Sequence, residues 1–242
     1  IPAQSNIVKP KQNPEIVLQL YESNWGDLLP NQKNFIAKNL SGKDFSNSSL
    51  ENEIFFGSDL RNANFENSII SGSDFSLANL ENANFKNAII DGIKLRQTTL
   101  EQTDFSNVDF RQVNLLNVDF TNTILKNSNL SNKDLTKTFL YKADLSGADL
   151  SYSDLSIMYL KDTVLDDANL TGTILYEADL SLTLDTHLPG TVLISSTLTW
   201  ANLANVDFSG KNLSGVNFKG SDLTGQNFTN DVSFFGNNFK GT

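Results

Sequence analysis

The chain contains no cysteine among its 242 residues. That excludes disulfides, thiol nucleophiles and cysteine-held zinc. It contains one histidine, His187, which excludes paired-histidine metal motifs and leaves little of the usual acid–base machinery. No apolar run of about 18 residues occurs, so no membrane-spanning helix is expected. Basic residues are scarce, 18 against 28 acidic, for a net charge of −10. Such a surface is repelled by phosphate backbones, which argues against direct nucleic-acid binding but suits a basic protein groove. The chain starts at Ile1 rather than Met, which is compatible with an exported protein (periplasm, lumen or extracellular space) and equally with a cytoplasmic one.

What the chain does have is a period of five. Every fifth residue from Phe35 to Leu180 is Leu, Phe or Ile, at all thirty positions. The frame then moves by three, and nine more centres run from Leu188 to Phe228. A one-residue slip adds Phe234 and Phe239. Two before each centre the chain prefers small or β-branched residues, as at Ala63, Ala78, Val108 and Ala143. One before, Asp or Asn fills 19 of the first thirty places. Two after, Gly or Asn fills 17 of 29, residues that tolerate the positive φ of tight turns.

A helix needs apolar residues at a 3.6 spacing and a strand at 2, so five fits neither. It suits a coil of very short straight sides with a turn every five residues. On each side the centre and the residue two before it share a face and point inward, while the Asp or Asn between them points out. If like sizes stack, twenty residues per coil superimpose Phe45, Phe65, Phe85 and Phe105, and likewise Phe35, Phe55 and Phe75. The alternation alone also permits ten.

The units ANLEN at 78–82, ANFKN at 83–87 and ADLSG at 143–147 resemble the pentapeptide-repeat family. The resemblance runs from about residue 33 to 241. It implies an all-β solenoid, a right-handed quadrilateral β-helix of four pentapeptides per coil. Forty-one centres make about ten coils, a rod of about 50 Å at ~4.8 Å per coil. Lys33, Lys38, Glu53, Lys133 and Met158 depart from the pattern in the small inward column.

Residues 1–13 read as an extended tail. In residues 14–32, Asn13, Pro14 and Glu15 supply helix-start chemistry, and Ile16, Val17 and Leu20 form one apolar stripe. A short capping helix at 14–22 over the first coil is expected, helped by Trp25, Leu28 and Leu29. Residues 33–242 form the repeat domain, interrupted at 181–190, where Pro189-Gly190 marks a turn. No helix signal follows Phe234, Phe235 and Phe239, so these make candidate contacts of a C-terminal homodimer.

No cofactor or metal is expected. His187 beside Asp185 reads as an ordinary loop histidine with no positioned nucleophile. The aspartates recur on successive sides of a square rod, whereas calcium needs six to eight oxygens converging on one point. The triplets at Asn129, Asn169, Asn212 and Asn227 follow from the repeat's own letters.

The outward columns are more informative where they stop being polar. One before the centre, Ile54, Ile69, Ile89, Ile124, Phe139, Tyr159, Val164 and Ile174 are apolar. Phe139 and Tyr159 stack under a twenty-residue coil, and Tyr141, Ile157 and Tyr176 fall near the same edge. These five form a candidate interaction patch, and Tyr152 stands nearby where Gly or Asn is usual. Residues 139–185 also carry nine acidic and two basic residues. The expected function is that of a non-enzymatic rod offering a surface to a protein partner whose identity the sequence does not name. The resemblance implies an alternative, since some members of the family resemble duplex DNA and bind type II topoisomerases such as gyrase, inhibiting or protecting them.

Overall fold

The computed structural model describes residues 35–160, 162–180, 193–204, 206–226, 228 and 234–242. The tail at 1–13, the helix expected at 14–22, Lys33, the interruption at 181–190 and His187 lie outside the described residues.

Each pentapeptide is a short straight piece followed by a turn. The centre's carbonyl accepts from the N–H three residues on, as in Lys43 to Leu40 at 3.1 Å and Ala63 to Leu60 at 3.0 Å. The third turn residue, two after the centre, has positive φ, for example +67° at Gly42, +54° at Asn47 and +57° at Asn67. That geometry belongs to a type II turn and explains the Gly/Asn column.

Stacking then uses the remaining backbone groups. The Leu40 N–H donates to the Asp59 carbonyl at 2.8 Å, and the Gly42 N–H to Arg61 at 2.8 Å. The Asp59 N–H donates back to Lys38 at 2.9 Å. Parallel bridges join Asn39 to Asp59 and Asp59 to Asn79, so the coil is twenty residues with four turns, not ten. One N–H per repeat is left over, on the residue after the centre. The Asp or Asn side chain before the centre accepts it. Ser46 donates to Asp44 Oδ1 at 3.0 Å, Ser76 to Asp74 at 2.9 Å and Ser106 to Asp104 at 2.8 Å. All five N–H groups of the repeat are thereby accounted for. The Asp/Asn column points outward as expected, but it is a structural hydrogen-bond acceptor and not merely a solvated face.

Sides 1 to 4 are named by their first centres, Phe35, Leu40, Phe45 and Leu50. Phe35, Phe55 and Phe75 stack on side 1 with ring centroids 4.7 Å apart. Phe45, Phe65, Phe85 and Phe105 stack on side 3 at 4.7–4.9 Å. Inward Ser and Thr are tolerated because their hydroxyls reach centre carbonyls, as Ser58 to Phe55 at 2.7 Å and Thr103 to Leu80 at 2.8 Å. Of the other departures, Glu53 and Met158 are buried and Lys38 is exposed in the first described coil.

One junction breaks the regularity. Through Phe105 the phenylalanines occupy sides 1 and 3; Phe110 and Phe120 occupy sides 4 and 2. At this crossover the rings meet edge to face, 5.4 Å between Phe105 and Phe110. Val108, Val113 and Val118 fill the small column of the same coil. Among the described residues, positions 89, 94 and 99 make no parallel bridge to the positions twenty on, whereas Asp104 still bridges Ile124 and Asp109 bridges Asn129. Asn114 makes no bridge to either neighbouring coil. Lys133 occupies that gap from the next coil. Its ammonium donates to the carbonyls of Arg111 at 2.9 Å and Val113 at 2.7 Å, and burial lowers its pKa.

Across the later frame shifts, pairing continues among the described residues on sides 1 and 2. Ile174 bridges Thr197 and Asp179 bridges Asn202, each 23 residues on, and Asn217 bridges Asn238 after 21.

Phe85 is fully buried, so Phe85→Ala is expected to cost about 3–5 kcal/mol. Asp149 accepts from the Ser151 N–H at 3.0 Å and from Asn169 at 3.1 Å, so Asp149→Ala is not neutral; about 1 kcal/mol is expected. Urea unfolding of the two variants measures the difference, and a larger loss for Asp149→Ala would refute the accounting. The acceptor carboxylates also set an acid limit. The Ser46 N–H lowers the pKa of Asp44, the Thr136 hydroxyl that of Asp134 and the Thr224 hydroxyl that of Asp222, each from 3.8. A carboxylate with a lowered folded pKa stabilises the fold above its unfolded value and ceases to as pH falls through the folded value. Tm is therefore expected to be flat above about pH 5 and to fall steadily below about pH 4, as thermal melts across pH 2–7 would show.

Candidate interaction surface

Four of the five patch residues fall on side 2 or at its edge with side 1, and Tyr141, one after its centre, stands at the edge between sides 2 and 3. Phe139 and Tyr159 lie on adjacent coils of side 2, each one before its centre. Tyr141 is two residues further along, its ring 6.1 Å from that of Tyr159, with Lys142 Nζ 5.2 Å from its centroid. Ile157 occupies the turn joining side 1 to side 2, and its N–H donates to the Tyr176 carbonyl at 2.7 Å. Ile157 is 73% exposed; Phe139 and Tyr176 are exposed, and Tyr141 and Tyr159 are half-buried. The Glu177 carboxylate beside Tyr176 raises the tyrosine's pKa.

Three further residues extend the surface. Ile174 and Tyr152 are exposed on side 1 and at its other edge. Trp200, absent from the sequence-based patch, follows Ile157 and Glu177 in the same turn column and is exposed. Its signal was available, since it stands two after Leu198, where Gly or Asn is usual, but the frame shift separates it from the patch in sequence.

Two of these rings lie on glycine shelves. A Cβ at Gly172 would come within 2.6 Å of the Tyr152 ring, and one at Gly220 within 2.4 Å of Trp200. Positive φ tips the aromatic side chain toward the next coil, and only glycine leaves room beneath it. Both rings are held against backbone with an outer face in solvent.

The patch also forgoes the repeat's own hydrogen bond. Phe139 and Ile174 stand where Asp or Asn would accept from the N–H groups of Tyr141 and Tyr176.

The acidity does not gather on this surface, contrary to its coincidence in sequence. Asp144 and Asp166 lie on side 3, Asp149 on side 4, Asp154 on side 1 and Asp179 on side 2. Asp144 pairs with Lys126 at 3.0 Å. The aromatic edge itself carries Asp154, Glu177 and Asp179 alongside Lys137 and Lys142. Among the described residues no group of three His, Cys, Asp or Glu side chains is placed to hold a metal ion. A cleft of about 340 Å³ opens beside the Lys133 gap, lined by Leu115, Leu116 and Lys137 among others, on side 1 but coils away from Trp200.

The other candidate cluster divides by direction. Phe234 and Phe239 are centres of the last described coil, 5.6 Å apart edge to face, and Phe239 stacks on Phe218 at 5.1 Å. Phe235 projects outward and is 85% exposed.

The glycine shelf can be tested directly. Gly220→Ala should displace the Trp200 ring and red-shift its fluorescence in a Trp25→Phe background, whereas Gly42→Ala, where nothing lies within 4 Å, should leave it unchanged.

The family model for pentapeptide repeats matches the chain in eight copies, over residues 58–97, 89–127, 124–156, 143–181 and 191–230. Among solved structures the chain is similar to HetL, a pentapeptide repeat protein involved in heterocyst differentiation regulation from the cyanobacterium Nostoc. They are 25% identical, with 89% of this chain and 94% of that chain covered and a TM-score of 0.36. Full-length QnrB1, a plasmid-mediated fluoroquinolone resistance protein, is 19% identical over 86% of this chain and 92% of its own, at a TM-score of 0.35. A pentapeptide repeat protein of the Arabidopsis thaliana thylakoid lumen is 26% identical over 54% and 70%, at 0.23. No curated protein matches the chain in sequence. The family match extends over well over half of the residues, in step with the twenty-residue coil, and the chain belongs to the pentapeptide-repeat family.

Proposed function

We propose that the chain is a non-enzymatic scaffold that binds a protein partner along the edge between sides 1 and 2, from Phe139 to Trp200. One observation carries this reading. The apolar residues at 139, 159 and 174 replace the acceptor that 19 of the first thirty repeats carry, and unlike Ile54, Ile69, Ile89 and Ile124 they lie beside exposed Ile157 and Tyr176. A departure from a local rule with no gain to the fold points to a use outside it. The filled interior supports the same reading, because stacked centres leave no deep pocket for a substrate. The reading takes the solenoid as right-handed, of about ten coils, with residues 14–22 as a helix. Pairing of two chains beside Phe234 and Phe239, through Phe235, is a further contact open to such a rod.

The DNA-mimic reading has one observation in its favour, the presence of carboxylates on all four sides. Against it, Arg61, Lys94, Arg111 and Lys126 pair with Asp59, Asp74, Asp109 and Asp144 and neutralise part of that charge.

Ile157→Asp and Tyr176→Ala should leave Tm within about 2 °C and weaken capture of the partner from the source organism at least tenfold. Ile89→Asp, at another exposed position on side 4, should leave capture intact. Equal capture by all three variants would sink the proposal. Inhibition of gyrase supercoiling by micromolar protein, unaffected by Ile157→Asp, would favour the alternative.

A further inference from the structure

Side 1 of the first coils carries apolar side chains where the repeat points outward. Ile36 and Phe56 stand one after their centres, in the column that holds Arg96, Leu116, Thr136 and Tyr176 further along. Those four are exposed, Leu116 at 58%. Ile36 and Phe56 are only 5% and 3% exposed. They pack with Ala37, Ile54 and Leu77, none of which is exposed. One after the centre, ladder neighbours bury only small side chains such as Ser106, Ser131 and Ser151, and a large one, Leu116, stays exposed. Another part of the same chain must lie across side 1.

The mouth of the first described coil looks different. Lys38 and Lys43, in its inward column, are exposed, and Phe35, Leu40 and Phe45 are only half-buried. The cover therefore sits on the flank rather than over the opening. The sealed strip runs along the rod from Ile36 through Phe56 to Leu77 and ends before Arg96. Two coil spacings make it about 10 Å long. The span between Leu180 and Leu193 begins and ends about five coils beyond this strip, and a round trip of about 48 Å exceeds the reach of its residues.

We infer that Ile36, Ile54, Phe56 and Leu77 form the seat of the chain's own segment 14–29. That segment supplies Ile16, Val17, Leu20, Trp25, Leu28 and Leu29, an apolar set matching the seat. A nine-residue helix at 14–22 would measure about 13 Å, enough to span the sealed strip lengthwise. The first coils thus offer side 1 to their own chain, and the outward apolar residues there belong to an internal interface. This site is distinct from the edge around Ile157 and stands whether or not that edge binds a partner.

Crosslinking tests the placement in the full-length protein. A photoreactive p-benzoylphenylalanine replacing Phe56 should crosslink within the chain to residues 14–29, and the same group replacing Lys38 at the mouth should do so at least fivefold less. In the otherwise unsubstituted Trp200→Phe variant, acrylamide should quench Trp25 at least fivefold less than it quenches N-acetyltryptophanamide. Crosslinks to 14–29 mainly from position 38, or quenching of Trp25 equal to that of the free amide, would overturn the inference.

Discussion

Five backbone N–H groups must be satisfied in every five residues, with no straight segment long enough to be an ordinary strand. This constraint governs the whole molecule. Two N–H groups donate to the next coil, one to the preceding coil and one across the turn. The fifth has no backbone partner within reach, and the Asp or Asn side chain two residues earlier takes it. A buried or crowded N–H left unpaired costs about 1–3 kcal/mol, and the repeat presents one such N–H in every pentapeptide. The letter before each centre is therefore as structural as the centre itself.

Side-chain size follows from the same stack. A coil spacing of about 4.8 Å is set by the hydrogen bonds, so rings and branched chains must fit that spacing or open it. Phenylalanines fit when they lie flat on one another on opposite sides, as from Phe35 to Phe75 and from Phe45 to Phe105. When the pair changes sides at Phe110 and Phe120, flat stacking is lost and three valines add bulk to the inner column. The bridges yield there, and Lys133 supplies donors to carbonyls of the preceding coil. An inward lysine that looks like an error in the repeat is thus the local repair of a packing fault one coil away.

Much of this was legible in the residues. The period, the inward and outward columns and the shifts of three and one follow from spacing alone, whereas spacing allowed ten or twenty residues per coil and the bridges from Asn39 to Asp59 and Asp59 to Asn79 decide for twenty. The role of the Asp/Asn column was not, because exposure and hydrogen bonding both favour the same letters, and only the Ser46 to Asp44 geometry separates them. The acidic stretch at 139–185 misled for a related reason. Neighbours in sequence occupy successive sides, so local charge is spread around the rod. Residues twenty apart are the true neighbours, which is why Ile157, Tyr176 and Phe139 converge. Trp200 escaped because the three-residue shift hides that it shares a turn column with Ile157.

A core this completely filled confines function to the outside, and the outside is highly repetitive. Recognition then requires places where repetition fails. Two kinds of failure occur, and their exposure separates them. At Ile36 and Phe56 the apolar side chains are sealed, so the gain is to the fold. At Ile157, Tyr152 and Trp200 they remain open, with two rings held on glycine shelves that the next coil must provide. A ring fixed against backbone loses little freedom on binding, so it offers contact area at low entropic cost. The rule that makes the rod uniform makes each open exception a distinct feature that a partner can recognise.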